Sequence, residues 1–134
     1  MSRREIRERL MKIVFLYEFY KDKGEADEGI ETYFEEHDFS EKDEAELRDK
    51  LSKIKENITD IDNLISENSK GWKIDRIGKE ELAILRVALY EIRYDDDVPN
   101  GVAINEAVEI AKQYGAEGGA SYVNGLLGNV VNVE

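Results

Sequence analysis

Three arginines open this chain at a spacing suited to gripping an anion: Arg3, Arg4 and Arg7. At about 100° per residue they share one arc of a helix, and Met11 and Phe15 continue that arc one and two turns on. Arg9 and Lys12 point elsewhere. Cations in a first turn oppose the helix dipole, so helix stability alone does not select them. A phosphate does, because guanidinium forks and the unpaired N–H groups of a helix start converge on it. The competing reading is a basic terminus without a ligand, and the residues alone leave both open.

Other chemistry is harder to build from these residue types. His37 is the single histidine, beside Asp38 in an acidic stretch, and is expected at a solvated helix end. Asp95, Asp97 and Glu106 fall at the first, third and twelfth positions of a calcium loop. Pro99, however, offers no side-chain oxygen at the fifth position, and the required glycine is displaced to Gly101. A carboxylate-bridged metal site needs Glu-x-x-His on two helices, and the lone His37 has Phe34 three residues before it. No nucleophile–base pair or phosphate-cradling glycine loop is present. The expectation is therefore a protein that is not an enzyme and that takes neither metal nor cofactor.

Charge limits the partners. The 134 residues carry a net charge of −12, yet residues 1–12 hold five cations against Glu5 and Glu8, a local +3 that leaves −15 for the remainder. Such a body repels nucleic acid at long range, so RNA or DNA must be bound locally or with help from a basic partner. The absence of cysteine fits a reducing compartment, and no apolar stretch approaches eighteen residues, so a cytoplasmic chain without a membrane span or secretory leader is expected.

The elements that must position these residues are helices, with a single proline in the chain. Lys79 to Tyr94 is the central one: Leu82, Leu85, Leu89 and Ile92 line one face, while Ile84, Ala88 and Tyr90 carry apolar surface round to the others. Its Arg86 must snorkel or pair with a carboxylate, for which Glu91 and Glu106 are candidates. Ser2 with Glu5 makes a capping box for a first helix running to about Lys21, with Ile6, Leu10, Ile13, Val14 and Tyr17 inward. Further helices are expected over Asp27–Glu36, Glu41–Asn57 after the Ser40 cap, from Thr59 to near Gly71, and over Val102–Tyr114. Trp72, Ile74 and Ile77 form an apolar connector, with Asp75 and Arg76 as a short-range pair. A last helix follows a flexible 116–120 stretch, and its Gly125 and Gly128, one turn apart, suggest close backbone packing.

The run Gly101-Val-Ala-Ile-Asn-Glu-Ala-Val-Glu-Ile-Ala-Lys-Gln-Tyr-Gly115, followed by Ser121-Tyr-Val-Asn-Gly-Leu-Leu-Gly128, resembles the C-terminal half of the NusB family of transcription antitermination factors. Ile84-Leu-Arg-Val-Ala-Leu-Tyr-Glu91 and the Arg3-Arg4, Arg7-Glu8 opening extend the resemblance over the whole chain. It implies an all-α fold of about seven helices in two packed bundle subdomains, here near 1–58 and 59–134. It also implies an RNA-binding, non-enzymatic role. NusB-like proteins pair with NusE, a small-subunit ribosomal protein, to bind boxA-type single-stranded RNA and act on the transcription elongation complex, chiefly in ribosomal RNA operons. By that resemblance Arg3, Arg4 and Arg7 contact RNA phosphates, Tyr122 stacks on an unpaired base where the family usually has Phe, and Glu81 faces NusE. Gly118 and Gly119 stand where polar residues are common, and Ile6 where a small residue is usual. Two points stay open: whether the free chain forms a homodimer, and whether it is instead a NusB-like protein-interaction module without RNA binding of its own.

Overall fold

A helix apolar on nearly all sides has to be enclosed, and the rest of the chain encloses one. The computed structural model describes residues 1–70 and 73–132. Among these the chain forms α1 (Arg3–Lys21), α2 (Ala26–Glu36), α3 (Glu41–Glu56), α4 (Ile58–Asn68), α5 (Lys79–Tyr94), α6 (Asn100–Tyr114) and α7 (Gly119–Asn132), with a 3₁₀ turn at Ile74–Arg76. The expected roles of Gly71 and Trp72 lie outside the described residues. No helix among the described residues is long and apolar enough to cross a membrane.

Local signals set the helix starts. The Ser2 hydroxyl accepts the Glu5 N–H at 3.1 Å and the Glu5 carboxylate accepts the Ser2 N–H at 3.2 Å, the reciprocal pair the sequence predicts. Ser40 caps α3 in the same way through the Asp43 N–H. Asn57 both ends α3 and begins α4, so the fourth helix starts at Ile58, ahead of Thr59. The final helix likewise begins earlier than expected, at Gly119.

Every residue of α5 from Glu81 to Glu91 is buried. Around it lies one continuous apolar core drawn from all seven helices, including Ile6, Leu10 and Ile13 of α1, Leu47 of α3, Ile61 of α4, Ile110 of α6 and Leu127 of α7. Ion pairs fix the helix directions. Arg7 near the start of α1 meets Glu91 near the end of α5, while Glu18 near the end of α1 meets Arg86, so α1 and α5 run antiparallel.

Arg86 is 1% exposed, and its partners are not those suggested by the sequence. Its Nε and Nη2 donate to both oxygens of Asp62 on α4 at 2.9 and 2.8 Å, and its Nη1 donates to Glu18 at 2.7 Å. Glu91 lies five positions along the same helix, about 140° round, so it faces away from Arg86. Glu91 and Glu106 serve Arg7 and Arg4 instead. His37 stands at the end of α2, as expected, but is less solvated than the sequence suggests. Its Nδ1–H donates to the Tyr33 carbonyl at 2.8 Å, and its ring, half-buried, lies 4.1 Å from the Tyr33 ring and 5.7 Å from Phe39.

The α6–α7 turn is clamped from below by Glu81. Its Oε1 accepts the Ala116 N–H at 2.8 Å, and glycines surround the carboxylate. A Cβ at Gly119 would stand 2.5 Å from Oε1, one at Gly78 2.5 Å from Oε2, and one at Gly115 3.0 Å from Oε1. Gly125 and Gly128 are the opposite case. A Cβ at either meets nothing within 4 Å, so the close backbone packing expected there is absent.

Three outcomes follow for stability. Arg86→Ala removes the cation that Asp62 and Glu18 share, with Lys21 left 3.1 Å from Glu18, and should lower the unfolding free energy by about 3 kcal/mol in urea titrations; a loss under about 1 kcal/mol would show that the network is not a keystone. Gly125→Ala and Gly128→Ala should each stabilise by about 0.5–1 kcal/mol, since the methyl meets open space and the helix gains propensity. Gly119→Ala should lower the melting temperature, because the added methyl would stand 2.5 Å from the Glu81 oxygen that accepts the Ala116 N–H and would push it off that bond.

Candidate nucleic-acid interface

The arginines that open α1 fan out to three different helices. Arg3 donates through Nη1 and Nη2 to Glu46 of α3 at 2.6 and 2.8 Å. Arg4 donates through Nε and Nη2 to Glu106 of α6 at 2.6 and 3.1 Å. Arg7 donates through Nε to both oxygens of Glu91 of α5 at 3.0 Å. Their exposure separates them: the side chains of Arg3 and Arg4 are 61% and 50% exposed, whereas that of Arg7 is 13% exposed. Arg7 is therefore a brace between α1 and α5. Arg3 and Arg4 present guanidinium edges to solvent, and a carboxylate engages only part of the five N–H donors of each.

The electrostatics of the corner follow from these pairs. Hydrogen bonding from Arg3 holds the Glu46 carboxyl down to about 2, so it stays ionised in any ordinary buffer, and Lys50 Nζ lies 2.9 Å from the same carboxylate. The Glu106 carboxyl is likewise held below the usual carboxylate range by Arg4. The remaining cations of the helix face elsewhere, as the helical spacing predicts: Arg9 lies 3.4 Å from the Tyr33 hydroxyl and Lys12 sits over the Tyr114 ring at 5.3 Å. The capping box already uses the Ser2 and Glu5 amides, so an incoming anion meets guanidinium edges rather than a row of free amides.

Tyr122 is not part of this corner. It sits on the first turns of α7, half-buried against the core, with its hydroxyl sealed from solvent beside Ser69. Burial pushes its phenol up, and the nearby Ser69 opposes that shift. The ring lines an open groove with Arg76, Ile77, Gly78, Gly118 and Gly119, where Gly118 takes a φ of +82°. The groove lies at the Glu81 end of α5, whereas Arg7 lies at the Glu91 end, ten residues or roughly 15 Å along the axis. One composite corner joining the first helix to the last is therefore not formed. The cause is direction: α1 begins where α5 finishes, and α7 begins where α5 begins.

Two further placements differ from the sequence reading. Glu81 is 4% exposed and bonded to Ala116, so its carboxylate holds the turn beneath Tyr122 and is not presented to a partner. Arg76, read from sequence only as a loop tether, is the cation that lines the Tyr122 groove. Its position beside Ile77 in a connector gave no periodicity from which to infer that. Glu106 does not turn toward the Asp95–Asp97 loop; Asp95 instead accepts the Asp97 N–H at 3.1 Å.

A second surface lies between α1, α5 and α6. Met11, Phe15, Ala83, Ile84, Ile110 and Tyr114 line an apolar groove, with Glu8, Glu80 and Lys12 on its rim. Phe15 and Met11 are the residues that continue the arginine arc, so one side of α1 carries cations at its start and apolar surface beyond.

Comparison with known proteins gives this geometry a context. The sequence profile of the NusB family matches residues 4–132. The transcription antitermination protein NusB of Lachnoclostridium phytofermentans is 44% identical over 133 residues, covering 98% of this chain and 100% of that protein. Its counterpart in Acetivibrio thermocellus is 46% identical, covering 100% and 91%. Among solved structures, T. maritima NusB aligns over 98% of this chain and 92% of its own with a TM-score of 0.86 at 34% identity. A crystal structure of the antitermination factors NusB and NusE in complex with dsRNA aligns over 100% of both chains with a TM-score of 0.77, and at 23% identity that likeness bears on the fold. With the family profile spanning nearly all of it and relatives this similar along their full length, the chain belongs to the NusB family.

Proposed function

We propose that this chain is an RNA-binding transcription antitermination factor that pairs with NusE to bind boxA RNA and to promote read-through by RNA polymerase, chiefly in ribosomal RNA operons. The observation that carries the reading is the pair of half-exposed guanidiniums, Arg3 and Arg4, fixed at one end of a body in which residues 13–134 carry −15. A phosphodiester strand finds its local attraction there. The Tyr122 groove, with Arg76 beside it, offers an aromatic face and a cation for an unpaired base and its phosphate about 15 Å away. The 44% and 46% identity to two transcription antitermination proteins NusB along nearly their full length supports the same reading.

The partner half of the proposal rests on charge and on the apolar groove. An acidic chain gains affinity for RNA from a basic companion, which supplies the field it lacks. The groove lined by Phe15, Ile84 and Tyr114, with Glu8 and Glu80 on its rim, suits the apolar side chains of a positively charged protein such as NusE. On this reading Glu80, and not its buried neighbour Glu81, faces the partner.

A second reading has its own observation: each of Arg3, Arg4 and Arg7 is already matched by a carboxylate, as in a purely structural interaction module. Titrating labelled boxA RNA with the chain plus NusE at about 0.1 M salt separates the two. Arg3→Glu with Arg4→Glu should weaken binding at least about tenfold and flatten the salt dependence by about one unit for each lost contact, with helicity unchanged. Equal affinity in wild type and double variant would leave only the module. Tyr122→Ala should cost about fivefold or more in affinity, the range for a lost base–aromatic stack. Tyr122→Phe should retain the wild-type value, because the buried hydroxyl does not reach the groove; an equal loss in both variants would mean that the hydroxyl, and not the ring face, carries the effect.

A further inference from the structure

The carboxylates opposite Arg3 and Arg4 do more than hold the fold. Glu46 and Glu106 are 20% and 18% exposed, well below the guanidiniums they engage, and they come from α3 and α6 on either side of α1. Glu46 is shared with Lys50. Arg4 is thereby presented with its outer edge open and its charge cancelled, and Arg3 with its outer edge open and its charge offset by a carboxylate that Lys50 also engages. A guanidinium used only to brace a helix would be covered, as Arg7 is by Glu91, both members of that pair being nearly buried.

We propose that Glu46 and Glu106 are specificity-determining residues of the RNA surface, acting as built-in competitors for the phosphates that Arg3 and Arg4 contact. The inference rests on the RNA-binding reading given above. A phosphate approaching a neutral arginine–carboxylate pair gains a hydrogen bond at the outer edge but little long-range attraction, and it is repelled by the ionised carboxylate behind. Non-specific nucleic acid, bound through backbone charge alone, loses most by this arrangement. A strand that also places a base against Tyr122, or that arrives with a basic partner, draws on contacts the carboxylates do not oppose. The pairs thus reduce indiscriminate binding more than cognate binding. They act at any physiological pH, since both carboxyls are held ionised.

Glutamine is the right probe because it keeps the size and one acceptor oxygen while removing the charge. Glu46→Gln and Glu106→Gln should each tighten binding of a non-boxA single-stranded RNA by about fivefold, the factor for removing one unit charge about 4 Å away in watery surroundings. The slope of log affinity against log salt should steepen by about one for each freed guanidinium. Binding of boxA RNA with NusE present should rise less, so the ratio between the two RNAs falls. Glu91→Gln is the control, expected to lower the melting temperature without tightening either RNA. Unchanged or weaker binding in both glutamine variants, with wild-type helicity, overturns the competitor role and leaves the RNA-binding reading intact. Absence of RNA binding in the wild type, with binding appearing in Glu46→Gln/Glu106→Gln, supports the competitor role. Absence in both overturns it together with the reading on which it rests.

Discussion

Arg86 sits at the centre of the molecule with its guanidinium divided between Asp62 of α4 and Glu18 of α1. A cation so deep is tolerable only because three of its donors are met by two carboxylates in good geometry. The demand runs in both directions. Glu18 must reach inward from the far end of α1, and Asp62 from the middle of α4, which fixes both helices in rotation and register against α5. Apolar packing alone would accept several rotations of α1 on α5 at similar cost, since Ile, Leu and Val present similar surfaces. The polar network does not accept them.

Once α1 is held in that register, its first turn can lie only at the end of the bundle where α5 finishes. There α3 and α6 flank it, which is why Arg3 and Arg4 find Glu46 and Glu106 across chain separations of 43 and 102 residues. The same axis places the α6–α7 turn at the opposite end, over Glu81. The buried carboxylate and the glycines around it bring the turn close to α5 and set the angle at which α7, and Tyr122 with it, leaves the turn. Two patches of opposite character are thus held apart by the rigid length of α5 rather than joined.

How much of this could be read from sequence depends on the range of the interaction. Ser2 with Glu5, and Ser40 with Asp43, are local patterns, and both helix starts were legible in full. The apolar run of α5 announced its own enclosure, because no solvent face can be drawn on it, and the whole-chain resemblance gave the family. The partner of Arg86 was not legible. The chain carries 31 acidic residues, and only the packing of α1 and α4 on α5 decides which of them meet Arg86. The placement of Tyr122 relative to α1 was not legible for the same reason: its spacing says helix, but whether its helix runs with or against α1 is a property of topology. Gly125 and Gly128 misled because a glycine left open on a helix surface and one pressed against a neighbour look identical in one sequence. Arg76 was passed over because an isolated cation in a connector has no pattern to mark it.

The charge distribution finally bears on how the surfaces would work together. An acidic body would not hold a polyanion at a single neutralised corner, and a single stacked base supplies too little for a specific complex. A strand lying along the α5 axis could reach both patches, each weak alone, with the distance between them set by the helix. The apolar groove of Phe15, Ile84 and Tyr114 lies between α1 and α5, beside that path. A basic protein seated there would add positive charge along that path, beyond the Lys12 that stands on the groove's rim. On the proposed reading, the requirement for a partner is then a consequence of architecture: the fold separates its two nucleic-acid contacts, cancels the charge of one of them, and puts a docking groove next to the gap.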